Sequence, residues 1–92
     1  MNRIHRRLFR INDRLAELEM EEKAVREELD MHRSINEDAQ VDAALGNYID
    51  REEAGLTAKD VARFERSLAS IQARRVRLQD TRSKLLAKLE HK

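Results

Sequence analysis

The stretch AGLTAKDVARFERSLASIQARRVRLQDTRSKLLAKL, residues 54–89, carries the period of a helix that packs along one stripe. Val61, Phe64, Leu68, Ile71, Leu78, Leu85 and Leu89 follow one another at steps of three and four or their sums. In heptad terms Phe64, Ile71, Leu78 and Leu85 fill every d position. Val61, Leu68 and Leu89 fill a positions, and Arg75 and Arg82 interrupt them. The pattern predicts one helix over about residues 58–90, roughly 50 Å long at 1.5 Å per residue.

Upstream of it stand several turn signals. Gly55 suits the end of a preceding helix. Thr57 can cap the next one, with Asp60 three residues later in capping-box spacing, and Leu56 and Val61 hold the two positions of a hydrophobic staple. These predict a turn at residues 54–57. Before it, Ile4, Leu8, Ile11, Leu15, Leu18, Val25 and Leu29 form a second apolar stripe, with Glu22 and His32 as polar interruptions. The phase then changes, and Ile35, Val41, Leu45, Tyr48 and Ile49 continue off the stripe. The change coincides with residues 34–38, which favour caps and turns, and Gly46-Asn47 is a second weak point. The expected fold is therefore all-α: an antiparallel helical hairpin forming a single domain over 1–92. Its first helix spans about 2–53, continuous or broken near 34–38 or 46–47.

Composition agrees. Ala, Glu, Lys, Leu and Arg make up 52 of the 92 residues, a share typical of long helices and coiled coils. Cys is absent, which excludes disulfides and thiol chemistry, and β-branched and aromatic residues are scarce, which disfavours a sheet. The Arg-rich opening, MNRIHRRLFRINDRL, has the composition of a transit peptide, but its apolar spacing runs on into the chain. It reads as the start of a structural helix. No apolar run approaches the ~20 residues of a membrane span. The expectation is a soluble, cytoplasmic protein.

The net charge of +1 hides segregation. Residues 1–16 and 57–92 are basic, and residues 17–56 hold thirteen carboxylates against four cations. A turn at 54–57 pairs the basic second arm with acidic residues 20–53. It sets Arg75 near residues 36–38, including Asp38, and Arg82 near Glu28 to His32. These are predicted as register-setting polar pairs. Such a pairing also leaves Ile4, Leu8, Ile11, Leu15 and Leu18 overhanging. That stripe is predicted to associate with a second copy as a helical-bundle dimer, or with a larger protein assembly. Arg3, Arg6, Arg7, Arg10, Arg14, Lys84 and Lys88 gather as a basic pole, and Asp50, Glu52 and Glu53 form an acidic tip.

The residues point to binding and not to catalysis. None of His5, His32 and His91 has a Glu three residues earlier, so the di-iron motif is missing, and Glu28 with His32 is one pair short of a metal site. No phosphate-binding glycine loop or nucleophile elbow occurs. No cofactor, metal or enzymatic activity is expected. The first reading is a coiled-coil interaction module of adaptor or regulatory type. The alternative is a factor associated with nucleic acid through the basic pole, with binding that falls steeply with salt. Membrane contact through the basic amphipathic start ranks below both. The acidic tip on a helical hairpin resembles the layout of proteins that insert a coiled coil into the secondary channel of RNA polymerase. The resemblance implies an accessory role there and extends to layout alone. A second layout, the secreted hairpins of about 100 residues marked by Trp-x-Gly, would place its turn at Ala44-Leu45-Gly46. The Trp is missing and the signals at 54–57 are stronger, so this layout is set aside.

Overall fold

The computed structural model describes residues 2–46 and 48–91; Met1, Asn47 and Lys92 lie outside them. Two helices, α1 (Arg3–Leu45) and α2 (Tyr48–Glu90), fold back on one another as an antiparallel hairpin. The molecule measures 69 × 16 × 13 Å. That long dimension is what 43 residues per arm give at about 1.5 Å each. Asn2 caps α1, its side-chain oxygen accepting the His5 amide at 2.9 Å.

The turn is not at 54–57. It lies at Gly46, and α2 runs unbroken through Gly55, Leu56, Thr57, Asp60 and Val61. The turn thus falls at the glycine of Ala44-Leu45-Gly46, with Ala44 where the second layout has its Trp. Magnitudes account for the outcome. A cap is worth about 1 kcal/mol, and a helical glycine costs about as much. A turn at Gly46 instead lays the apolar stripe of α1 along that of α2. Leu8, Ile11, Leu15 and Leu85 then form a buried cluster, with Ile4, Leu78 and Leu89 packed against it. Each buried Leu or Ile stabilises by about 1.5–3 kcal/mol, so the long-range pairing outweighs the local signals. The stripe assigned to self-association is thus consumed within the chain: Leu8, Ile11, Leu15 and Leu18 are buried and Ile4 is half-buried.

The two glycines contrast. Gly46 is extended, at φ −110° and ψ −160°. A Cβ there would overlap the Asp50 carboxylate and sit 2.5 Å from the Asp42 carbonyl oxygen, a backbone atom with little room to yield. A Cβ on Gly55 would meet nothing. Gly55→Ala should therefore raise stability by about 1 kcal/mol, and Gly46→Ala should lower it. Thermal and urea melts followed by circular dichroism check both. A lower midpoint for Gly55→Ala would contradict a helix at that position.

Facing residues follow an uninterrupted heptad seam. On α1 it runs 4, 8, 11, 15, 18, 22, 25, 29, 32, 36, 39, 43, all buried or half-buried. On α2 it runs 50, 54, 57, 61, 64, 68, 71, 75, 78, 82, 85, 89, again none exposed. The helix of α1 does not break at 34–38. The seam continues there through Asn36, Ala39 and Ala43, and the large apolar residues around them point elsewhere. Near the turn the seam is small and polar. Thr57 Oγ1 lies 2.9 Å from Asn36 Oδ1 and 3.1 Å from the Ala54 carbonyl oxygen, and Gln40 Nε2 donates to that same carbonyl at 3.1 Å. The ring of His32 stacks on Phe64 at 4.7 Å between centroids, which accommodates this polar interruption in the seam.

One polar interruption of each stripe, Arg75 and Glu22, meets the other in a different register, whereas Arg82 reaches Asn12 off the α1 stripe and His32 meets Phe64. Arg75 donates to Glu22 Oε2 at 2.8 Å, not to Asp38, and Arg82 donates to Asn12 Oδ1 at 3.1 Å, not to the Glu28 region. The shift follows directly from moving the turn. Glu28 instead lies 3.7 Å from His32 on its own helix.

Candidate functional site

Folding at Gly46 gives the rod two charged ends. At the turn end, residues 34–58 hold Glu37, Asp38, Asp42, Asp50, Glu52 and Glu53 against a single cation, Arg51. The predicted acidic tip thus stays at the tip. Asp50, Glu52 and Glu53 stand in the opening turns of α2, after the turn and not before it. At the open end, residues 1–16 and 74–92 hold twelve cations and three carboxylates. The predicted basic pole, Arg3, Arg6, Arg7, Arg10, Arg14, Lys84 and Lys88, comes together there, since the start of α1 lies beside the end of α2.

The tip also concentrates exposed apolar surface. Among the described residues, Ile35, Val41, Leu45, Tyr48, Ile49 and Leu56 are all exposed, Leu45 at 85%. Ile35, Asp38, Asp42, Glu53 and Leu56 line one groove between the helices, with Ala39 and Thr57 at its floor. Every rim residue immediately precedes a seam residue, so all stand on one side of the hairpin; the same side of an antiparallel pair is reached from both arms in this way. Leu45 and Ile49 extend that row toward the turn. Asp42 and Glu53 occupy the same level of the groove, two carboxylates with apolar neighbours. The chemistry is that of a seat for a cationic, amphipathic segment: apolar contacts supply burial, and the carboxylates select positive charge. The signal for this groove was present in the sequence as the phase change at residue 35. In sequence Leu56 also fits a staple and Asp38 a register pair, which masks their place in the groove.

At the open end Arg14 pairs with Glu17 at 2.8 Å and Glu21 at 3.4 Å, and Lys84 with Asp80 at 3.1 Å. The hydrogen bond to Glu17 raises the Arg14 pKa above its ordinary value. Among the described residues Arg3, Arg6, Arg7, Arg10 and Lys88 have no carboxylate partner. Arg3, Arg7 and Arg10 share a groove with Ile11, Leu78 and Thr81.

Among the described residues no three side chains of His, Asp or Glu gather as a metal site, and no helix is long and apolar enough to cross a membrane. Comparison with known proteins finds no matching family model, no matching curated protein and no matching solved structure.

Proposed function

We propose that the protein is a non-catalytic interaction hairpin whose acidic, apolar tip docks a basic amphipathic segment of a partner protein. The observation that carries this reading is the groove of Ile35, Leu56, Asp38, Asp42 and Glu53. Its apolar residues are displaced from a seam that small side chains already close. A sequence that needed only a stable hairpin has no use for exposed Leu45, Leu56 and Ile35 in one row. The earlier idea of association through the α1 stripe lacks its premise, because that stripe packs against α2.

The test substitutes exposed residues, so the fold is retained. Leu45→Ser with Leu56→Ser removes apolar contact. Asp38→Lys with Glu53→Lys reverses charge. Each pair, used as bait in native lysate beside the wild type, should lose about tenfold or more of a stoichiometric protein partner, the scale of losing anchoring side chains. Helix content and melting midpoint should stay unchanged. Equal capture by wild type and both variants would refute the reading.

A further inference from the structure

We propose that the open end binds the phosphodiester backbone of a nucleic acid, along the groove lined by Arg3, Arg7 and Arg10 of α1 and Thr81 of α2, with Lys88 of α2 on the same side of the hairpin. This goes beyond the tip and uses none of its residues.

The basic charge there is one-sided. Residues that immediately precede seam positions share one side of the hairpin. At the open end these are Arg3, Arg7, Arg10 and Arg14 on α1, and Arg74, Arg77, Thr81, Lys84 and Lys88 on α2. Residues that immediately follow seam positions share the other side. Over the same stretch these are His5, Phe9, Asn12 and Ala16, with Val76, Gln79, Ser83, Leu86 and Glu90, and none is Arg or Lys. A solubilising surface needs no such sorting. The register set by Arg82 and Asn12 brings Arg10 level with Lys84 and Arg7 level with Lys88 on this side of the two arms, like charge opposite like.

Local physics also opposes this arrangement. Arg3 and Arg7 crowd the first turns of α1, where the helix dipole repels cations, and no acidic residue stands in its first turn. Among the described residues Arg3, Arg7, Arg10 and Lys88 have no carboxylate partner. A residue set that breaks a local rule without internal compensation marks a surface kept for something external. An anion in the groove would remove the cross-groove repulsion and satisfy the dipole together.

The shape of the charge selects the anion. From Arg74 to Lys88 the cationic row spans about 20 Å at 1.5 Å per residue, the length of about six base steps at 3.4 Å. Arginine predominates, and its fork matches phosphate oxygens. The exposed apolar residues of this end, Phe9, Val76 and Leu86, all lie on the other side. The groove therefore reads charge alone, as backbone binding does. The acidic tip of a second copy fits less well, since its exposed Ile35, Leu45 and Leu56 would meet cations.

Fluorescence anisotropy of the full chain with labelled duplex oligonucleotides of unrelated sequence tests the proposal. Binding should be sequence-independent, with a slope of log K against log salt of about −4, for four to five neutralised phosphates. Arg3→Gln, Arg7→Gln and Lys88→Gln combined should weaken binding at least tenfold and flatten the slope by about 3. The same variant should melt no lower than wild type, because two of its charges oppose the α1 dipole. Arg6→Gln, on the outward face of α1, and Arg51→Gln, at the tip, should leave affinity unchanged. No binding at low salt, or an equal loss from Arg6→Gln, would overturn the proposal. So would salt-sensitive self-association without nucleic acid that Asp38→Lys with Glu53→Lys abolishes, because the tip of another copy would then occupy the groove.

Discussion

Leu18→Ala should leave most of the chain unfolded in mild denaturant. Leu18 is fully buried, the most enclosed large side chain together with Leu29. Truncating a Leu in such a site removes its transfer free energy and leaves a cavity, costing about 2–5 kcal/mol. A two-helix domain of this size has about 3–5 kcal/mol in all, so the loss approaches the whole. The urea midpoint should fall by half or more, with Met20→Ala, at an exposed position, as the matched control. The same logic changes what Leu8→Glu with Leu15→Glu should do. If the α1 stripe joined two copies, these charges would separate helical subunits. Since the stripe packs on Leu78, Leu85 and Leu89 within one chain, they should abolish the helical signal itself. A variant that keeps full helicity and only halves its mass in solution would place the stripe between molecules and contradict the fold described above.

The second large effect lies at Glu22 and Arg75. Their side chains are 14% and 26% exposed and meet at 2.8 Å. Glu22 Oε1 and Arg75 Nε are buried with no hydrogen-bond partner, so the pair is incompletely satisfied. Removing Arg75 leaves the largely enclosed Glu22 carboxylate with only the exposed Arg26 guanidinium, 3.8 Å away. Arg75→Leu should destabilise by about 2 kcal/mol, less than for a fully buried pair because water reaches part of Arg75. Glu22→Leu with Arg75→Leu should recover that loss or exceed the wild type, since apolar replacements of an enclosed ion pair are often neutral or stabilising. The double-mutant cycle in urea reads both. A double variant weaker than Arg75→Leu alone would show that the pair contributes net stability. With the stability recovered in the double variant, the pair's value lies in register: Leu at both positions extends the apolar seam and makes sliding of the arms cheaper, and polar seam residues prevent such sliding elsewhere.

The helix period was legible because it depends on side-chain spacing alone. Every seam position of α2 from Val61 onward follows from the stripe at 61, 64, 68, 71, 78, 85 and 89, with Arg75 and Arg82 in phase. The turn was not legible, because two sets of signals competed and only one had a long-range reward. Thr57 illustrates this. Its hydroxyl looks like a cap, yet it serves the seam, beside Asn36 Oδ1 and the Ala54 carbonyl. Gly55 looks like a terminator, yet it is an ordinary helical residue with open space where its Cβ would stand. Displacing the turn by about nine residues changed every cross-helix partner. Arg75 and Glu22 still meet as interruptions of their stripes, Arg82 and His32 do not meet one another, and none of the named pairs forms. At the tip the missing information was which residues keep the seam: Ala39 and Ala43 carry it, so Ile35, Val41 and Leu45 were free to face outward.

Both charged surfaces depend on where the chain reverses, so the most direct measurement is intramolecular cross-linking. The chain has no cysteine, so introduced thiols are the sole reactive ones. Asn12→Cys with Arg82→Cys places thiols at a contact the structure makes at 3.1 Å. Glu28→Cys with Arg82→Cys places them where a turn at 54–57 would join the arms. At high dilution with a short bis-maleimide, the first pair should cross-link within the monomer and the second should not. Efficient linkage of residues 28 and 82, with none between 12 and 82, would move the turn to Gly55 and undo the account of both ends.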